Sequence, residues 1–161
     1  MDNVAAYFLE EKQQCLAGAV FSVLVIGTAV FFMFQERPFL KGMAQAALPL
    51  ALLLLLICIA VVLRVPKDIQ RVQALSTESS RGIAGEEIPR MEQVMKNFRT
   101  IKRVESGIVL IGLVGMLVFW RDEWLRGLGF GLLMMGLGLF TFDQLAETRG
   151  ESYLQFLKTL R

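Results

Sequence analysis

The sequence predicts an all-α integral membrane protein with four transmembrane helices, arranged as two hairpins whose helices extend into the cytoplasm. Composition is the first reason: 55% of the 161 residues are hydrophobic and the mean hydropathy is +0.53, which exceeds what a soluble core requires. The second is that four stretches contain no charged residue: 16–34, 43–63, 106–120 and 127–142. The third span as a whole is predicted over 104–120.

Helix length decides how easily each stretch crosses a bilayer. At about 1.5 Å per residue, the first two extend roughly 28 and 31 Å, which is enough for a hydrocarbon core of about 30 Å. The other two extend about 23 Å. They cross if Arg103, Arg149 and aromatic residues reach the interface, or if the bilayer thins around them. Trp120 and Trp124 flank the turn between them, as in an aromatic belt.

The distribution of positive charge predicts how the chain is threaded. Lys and Arg number 13 in the middle segment 64–105 and at the two chain ends together, against 4 in the two remaining loops. Because cytoplasmic loops carry the excess of Lys and Arg, we expect a bacterial inner-membrane protein with both termini and the middle segment in the cytoplasm. Glu10 and Glu11 precede the first stretch and no cleavage pattern follows it, which predicts a retained helix rather than a signal peptide.

The polar segments keep helical periodicity. Apolar residues lie three apart in 69–75, so the second helix is predicted to extend beyond the membrane, with Pro66 marking a bend or the helix end. Residues 76–88 have the composition of a linker, and Pro89 is typical of a helix start. Two apolar stripes follow: Met91, Val94, Met95, Phe98, Ile101 and Val104 predict one long helix that enters the third span, and Tyr153, Phe156, Leu157 and Leu160 predict a cytoplasmic tail helix.

The fourth span carries five glycines that divide into two opposed faces. At about 100° per residue, Gly127, Gly131 and Gly138 share one side, whereas Gly129 and Gly136 lie on the other. Small residues let transmembrane helices approach closely. We expect the first set to pack on the third span within its own hairpin. Gly129 and Gly136 are then left to face the first hairpin or another protein.

Residue types that serve catalysis or cofactor binding are scarce. The chain has no His, the commonest general base and metal ligand, and its glycines match no phosphate-binding loop. Cys15 and Cys58 fall near the cytoplasmic face, so we expect reduced, buried thiols. The prediction is a non-enzyme without cofactor or metal. The mixed-sign middle segment favours contact with lipid head groups over nucleic-acid binding.

Four ionisable residues near the inner interface form the candidate polar cluster. Glu105 lies at the start of the third span and Asp143 at the end of the fourth, with Arg64 and Arg103 predicted nearby. We interpret them as interfacial ion pairs that tie the two hairpins together. A catalytic carboxylate pair is the alternative, but it lacks the other polar groups that an active site needs.

A transporter or channel needs polar groups at membrane depth to replace the hydration of its solute. Ser22, Thr28 and Thr141 are the nearest candidates, and each can bond back to its own helix. Conduction by a single chain is therefore disfavoured. A homo-oligomer with a pore lined by glycine backbone is the arrangement that would still allow it.

In its build the chain resembles the immunity proteins that protect bacteria from pore-forming colicins and similar membrane-acting toxins. Those are likewise small inner-membrane proteins, often with four spans, and they recognise a toxin's hydrophobic helices within the bilayer. The resemblance covers the whole architecture and assigns no residue. The lack of catalytic residues predicts a protein that works by binding, and the resemblance implies that it neutralises a membrane-acting toxin. The alternatives are a structural or assembly subunit of a larger membrane complex and a small channel or carrier. The surfaces left for a partner are predicted at Gly129, Gly136, Met91, Met95 and Phe98.

Overall fold

The chain folds into four long helices that form two antiparallel hairpins. The computed structural model describes residues 2–78 and 83–159, and within these ranges no strand occurs. Short turns at 34–37 and 119–122 close the hairpins at one end of the molecule, which we call the outer end; the opposite end is the inner end. The helices are α1 (Asp2–Met33), α2 (Pro38–Glu78), α3 (Ile88–Val118) and α4 (Glu123–Thr159), and a π-helical turn (Ile83–Glu87) leads into α3.

Helix α2 is longer than the apolar stretch that it contains. It begins at Pro38, because the fixed backbone angle and missing amide of proline fit a first helical position. It then continues through Pro66 to Glu78, so Pro66 does not end the helix. Within the predicted linker 76–88, the first three residues are still helical and Ile83–Glu87 form the π-helical turn. Residues 79–82 of that linker lie outside the described part of the chain.

Helices α3 and α4 pass from the polar into the apolar sequence without a break, as their apolar stripes predicted. Pro89 occupies the first turn of α3, where its missing amide costs no hydrogen bond. The amide of Phe119 donates to the carbonyl of Gly115 at 3.1 Å and so caps the end of α3. Across the turn that follows, the amide of Asp122 donates to the carbonyl of Phe119 at 3.0 Å. Asp122 begins α4 by accepting a hydrogen bond from the amide of Leu125 at 3.0 Å.

Three segments are long and apolar enough to cross a membrane: Tyr7–Met33, Pro38–Val72 and Glu123–Thr159. Many of their large apolar side chains, such as Leu24 and Leu56, are exposed, which is typical of a surface that faces lipid. These features indicate a membrane protein. Helix α3 is not among the three because its charge-free part is short, so the fourth span remains a prediction.

The helices lie side by side in the order α1, α2, α4, α3. Helix α1 packs along α2, α4 packs along α3, and the hairpins join where α2 packs along α4. Helix α1 approaches α4 at far fewer positions, and within the described residues no Cα atom of α1 lies within 8 Å of a Cα atom of α3. The arrangement is therefore more open than a four-helix bundle, in which each helix would contact two neighbours along its length.

Glycines let α4 approach both of its neighbours closely. A Cβ atom at Gly129 would lie 2.6 Å from the amide nitrogen of Met116 in α3. One at Gly131 would lie 2.6 Å from the carbonyl oxygen of Met43 in α2. Neither space can hold a side chain, so glycine is required wherever the backbones meet in this way.

The two glycine faces exist, but their partners are the reverse of the prediction. Gly129 and Gly136 pack on α3 within their own hairpin, whereas Gly127 and Gly131 pack on α2 of the other hairpin. Gly138 has open space around it, with no atom within 4 Å of an added Cβ. The spacing of the glycines defines the angle between the faces, but it carries no information about which neighbour each face meets.

Candidate functional site

A groove opens on the apolar part of the molecule between α1 and α4, with α2 beneath it. We call it the outer groove. It has a volume of about 410 Å³ and is lined by residues between 21 and 32 of α1, 43 and 47 of α2, and 130 and 135 of α4. It exists because α1 packs on α2 and leaves most of the facing side of α4 uncovered.

Small residues form the floor of the outer groove and larger ones its rims. Ala44, Ala47 and Gly131 are buried lining residues at the junction of α2 and α4. Leu24 on α1 and Met134 on α4 line the same groove and are 65% and 54% exposed. A long apolar segment could therefore lie between the rims against a smooth floor, and methionine lets a rim adapt to different shapes.

The polar content of the outer groove is low. Within the described part of the chain, Thr28 is its one polar side chain, and the hydroxyl donates to the carbonyl of Leu24 at 2.8 Å. Ser22 and Thr141 likewise donate to their own helices, at 2.8 and 2.9 Å. The outer groove is thus a concave apolar surface and lacks polar groups that could coordinate a charged solute.

The groove closes toward the inner end where α1 reaches α4. Gln14 donates a hydrogen bond through Nε2 to the carbonyl of Phe142 at 2.8 Å. The ring of Phe142 also fills the space beside Gly18, where an added Cβ would lie 2.6 Å from it. This contact fixes α1 against α4 at one level and leaves the helices apart farther out.

An aromatic cluster joins the inner ends of α1 and α4. The rings of Tyr7 and Tyr153 stack with centroids 4.2 Å apart and an angle of 6° between their planes. Phe8 meets the edge of Tyr153 at 5.9 Å and packs on Val65 and Val72 of α2. Such pairs stabilise by roughly 0.5–1.5 kcal/mol beyond the burial of apolar area. The cluster therefore holds three helices together below the groove.

A second concave region, which we call the inner cavity, lies beside this aromatic cluster. Its volume is about 340 Å³ and it opens to the surface between α1 and α4. Unlike the outer groove, it combines aromatic rings with charged and hydroxyl groups. It is lined by Tyr7, Glu10, Thr148, Arg149, Ser152, Tyr153 and Phe156.

Glu87 is the centre of a charged cluster at the inner end. Its side chain is 1% exposed and accepts hydrogen bonds from Arg71 Nη2 and from Arg90 Nε, both at 3.0 Å. Burial lowers the pKa of Arg90, but the hydrogen bond and negative charge of Glu87 outweigh this effect and raise the pKa overall. The two arginines thus compensate a carboxylate that would be costly to bury alone.

The charged cluster continues along α2 to α1. Arg64 Nε lies 2.8 Å from Asp68 Oδ2, one helical turn away, and its Nη2 lies 3.6 Å from Oε1 of Glu11 in α1. Asp68 also reaches Arg71 at 4.0 Å. A chain of alternating charges therefore connects α1, α2, the π-helical turn and α3.

The predicted ion pairs between the hairpins take a different form. Arg64 pairs within the first hairpin, and Arg103 is exposed on α3. Glu105 and Asp143 do lie near each other, but within the second hairpin and as two acids, and Oε2 of Glu105 is buried without a hydrogen-bond partner among the described residues. The ion pair found near them joins Lys102 of α3 to Glu147 of α4. The charge pattern places Glu105 and Asp143 at a similar depth, but it does not show which helices their side chains contact.

The predicted partner surface on α3 is largely used within the chain. Met91 is buried against Tyr153 and Leu157 of α4, as expected if the two apolar stripes pack on each other. Met95 meets Gly150, where its methyl group occupies the space of a side chain. Phe98 is half-buried, and Ile101 and Val104 are exposed. Gly129 and Gly136 also face inward, as described above.

The other candidate groups are placed as follows. Cys15 and Cys58 are buried together with Leu54 and are not joined in a disulfide. Within residues 2–78 and 83–159, no group of three Cys, Asp or Glu side chains is arranged to hold a metal ion.

Glu87 was not predicted from the sequence, because two acids ahead of a helix are already explained by the helix dipole. Only the structure shows that Arg71 and Arg90 both lie within hydrogen-bonding distance of Glu87.

Comparison of the chain with protein-family models, with curated proteins and with solved structures finds no match.

Proposed function

We propose that this chain is a non-catalytic membrane protein that binds another membrane-inserted polypeptide. Its best-supported role is that of an immunity protein, which neutralises a membrane-acting, pore-forming bacterial toxin. The outer groove carries this proposal, because it is an apolar surface of three helices with a smooth floor at Ala44, Ala47 and Gly131. A hydrophobic helix of a toxin is the kind of ligand that fits such a surface.

The proposal places the chain in the bacterial inner membrane with four spans and both termini in the cytoplasm. The 13 to 4 distribution of Lys and Arg supports this threading. The close packing of α3 on α4 through Gly129 supports α3 as the fourth span. A short apolar stretch can cross when the bilayer thins around it or when flanking side chains reach the interface. In this arrangement the outer groove lies within the membrane.

Binding of an apolar polypeptide explains the outer groove better than conduction of a solute does. A conduction path needs polar groups or water along it, whereas the lining of the outer groove is apolar apart from Thr28. The hydroxyl of Thr28 already bonds to its own helix. An apolar groove at membrane depth instead favours a ligand that is itself apolar at that depth, and a toxin helix meets this condition.

The test begins with photo-crosslinking in native membranes. A photoreactive residue in place of Thr28 lies in the outer groove, and one in place of Val23 lies on an exposed part of the same helix outside the groove lining. We expect the Thr28 probe to capture an inserted toxin polypeptide when the cells are challenged with it. The Val23 probe should capture lipid. A strain that lacks the protein should be harmed when the captured toxin is delivered.

Two results would contradict the proposal. Capture of the same resident membrane proteins at Thr28 with and without challenge, together with a deletion strain that survives every toxin tested, would favour the assembly-subunit alternative. Equal capture patterns at Thr28 and Val23 would mean that the outer groove selects no polypeptide at all.

A further inference from the structure

We propose that the inner cavity binds the head group of a zwitterionic aminophospholipid, with the lipid phosphate on Arg149 and its ammonium group on Glu10. Both residues line the cavity, Arg149 from α4 and Glu10 from α1. Within the described residues neither of them forms an ion pair with a protein group. The cavity thus presents one cationic and one anionic group that have no ion-pair partner among the described residues. This pair complements a ligand that carries both charges.

Arg149 is held in place for phosphate binding. Its Nε donates to the carbonyl of Leu145 at 3.4 Å, and this contact orients the guanidinium from within its own helix. The two terminal amino groups remain for the ligand. A planar guanidinium binds two oxygens of a phosphate at once, which makes arginine well suited to this group.

The remaining polar groups of the cavity favour an ammonium ion. The hydroxyls of Thr148 and Ser152 each donate to a carbonyl of α4, both at 3.0 Å, so their lone pairs are left to accept hydrogen bonds. Glu10 adds a negative charge to these acceptors. A primary ammonium has three N–H donors for these acceptors, whereas a choline group has none.

The depth of the cavity matches the head-group layer. Arg149 lies seven residues beyond Phe142, or about 10 Å along the helix axis from the end of the charge-free stretch. Glu10 lies six residues before Leu16, or about 9 Å. The polar layers add roughly 5–8 Å on each side of the hydrocarbon core, and long side chains reach back by several ångströms. The proposal therefore rests on insertion of α1 and α4 in a bilayer, but not on the identity of a protein partner.

The surface between the cavity and the hydrocarbon core can accept the acyl chains. Leu145 lies three residues before Thr148, and Thr141 lies four residues before Leu145, so the three residues lie on one face of α4. Leu145 is 58% exposed and Thr141 is also exposed. A cavity of about 340 Å³ is within the size range of small-molecule sites, which is sufficient for the phosphate and ethanolamine groups.

The test uses the full chain in nanodiscs that contain equal amounts of phosphatidylethanolamine and phosphatidylglycerol. Native mass spectrometry then counts the lipids that stay bound after release. We expect one phosphatidylethanolamine per chain. Arg149→Gln should retain roughly tenfold less of either lipid, because it loses a charge-assisted contact. Glu10→Gln should retain lipid without preferring phosphatidylethanolamine. Arg149→Lys should recover part of the retention.

Matched controls are the exposed residues Arg103 and Glu151, which do not line the cavity. Arg103→Gln and Glu151→Gln should bind lipid as the unaltered chain does. Equal or greater retention of phosphatidylglycerol by the unaltered chain would overturn the proposal, as would identical behaviour of Arg149→Gln and Arg103→Gln. If Arg149→Gln fails to fold, the test rests on Glu10→Gln, because Glu10 is exposed. A preference for phosphatidylethanolamine that survives Glu10→Gln contradicts the assignment.

Discussion

Glu87 accepts a hydrogen bond from Arg71 with 3.0 Å between Oε2 and Nη2, and this contact links α2 to the segment that leads into α3. Within the described residues, it is the one ion pair that connects the first hairpin to the remainder of the chain. Because Arg90 holds the same carboxylate from α3, Glu87 fixes the inner ends of the two hairpins relative to each other.

We predict that Glu87→Gln destabilises the folded chain by about 2 kcal/mol, since the change removes the negative partner of Arg90 and leaves Arg71 only its 4.0 Å contact with Asp68. The measurement is the free energy of unfolding in detergent micelles. Glu86→Gln is the matched control, because Glu86 is the neighbouring acid and is exposed. Equal losses in the two variants would show that the charged cluster does not hold the hairpins together.

The glycines of α4 give a prediction in which two chemically identical changes differ in sign. Gly131→Ala should destabilise the protein by about 2 kcal/mol, because the new methyl group would lie 2.6 Å from the carbonyl oxygen of Met43. Gly138→Ala meets open space and should be neutral or stabilising by up to about 1 kcal/mol, since alanine favours the helix. Unfolding of both variants in the same detergent tests this. Similar losses would mean that α4 does not pack on α2 through Gly131.

The positions of the loops test whether α3 crosses the membrane. Reporters inserted at Glu36, in the first outer turn, and at Asp122, in the second, should both be active only when exported. A reporter fused after Arg161 should be active in the cytoplasm, because 13 of the 17 Lys and Arg residues are assigned to that side. Cytoplasmic activity at Asp122 would show that α3 does not span the bilayer.

The helices could be predicted from the sequence to a large extent because their signals are local. Charge-free stretches and apolar stripes predicted continuous helices through Val104 and into the tail, and α3 and α4 are continuous. Pro66 was less informative, because it predicted a bend or the end of the helix, whereas α2 continues through it to Glu78. A proline at the inner end of a long apolar helix is tolerated when tertiary contacts hold the helix, and Val65 and Val72 on either side of it pack on Phe8.

The candidate site could be predicted only in part, because it depends on which helices are neighbours. The periodicity of the glycines showed two faces, but Gly136 faces α3 rather than a partner. The stripe at Met91 and Met95 predicted a binding surface, yet the chain's own tail occupies it at Tyr153 and Gly150. An apolar stripe has the same pattern whether it meets the same chain or another one. The outer groove, which results from the separation of α1 and α4, has no signature in the sequence.

The outer groove gives a further prediction about binding. Thr28→Trp should fill the groove and prevent capture of a toxin polypeptide, because the indole is large enough to cover the floor between the rims. Val23→Trp adds the same ring to an exposed position outside the groove lining and should leave capture unchanged. Both variants are compared by co-purification with the toxin in detergent, at matched abundance. Loss of co-purification in both would point to damage of α1 rather than to the groove.

Protection through the outer groove is measured by the inner-membrane potential of cells during toxin challenge, recorded with a potential-sensitive dye. Four strains are compared: one without the protein, and three that contain the unaltered chain, Thr28→Trp or Val23→Trp at equal abundance. We predict that the unaltered chain and Val23→Trp maintain the potential, whereas the deletion and Thr28→Trp strains depolarise. Full protection by Thr28→Trp, or a deletion strain that keeps its potential, would rule out neutralisation of the toxin through the outer groove.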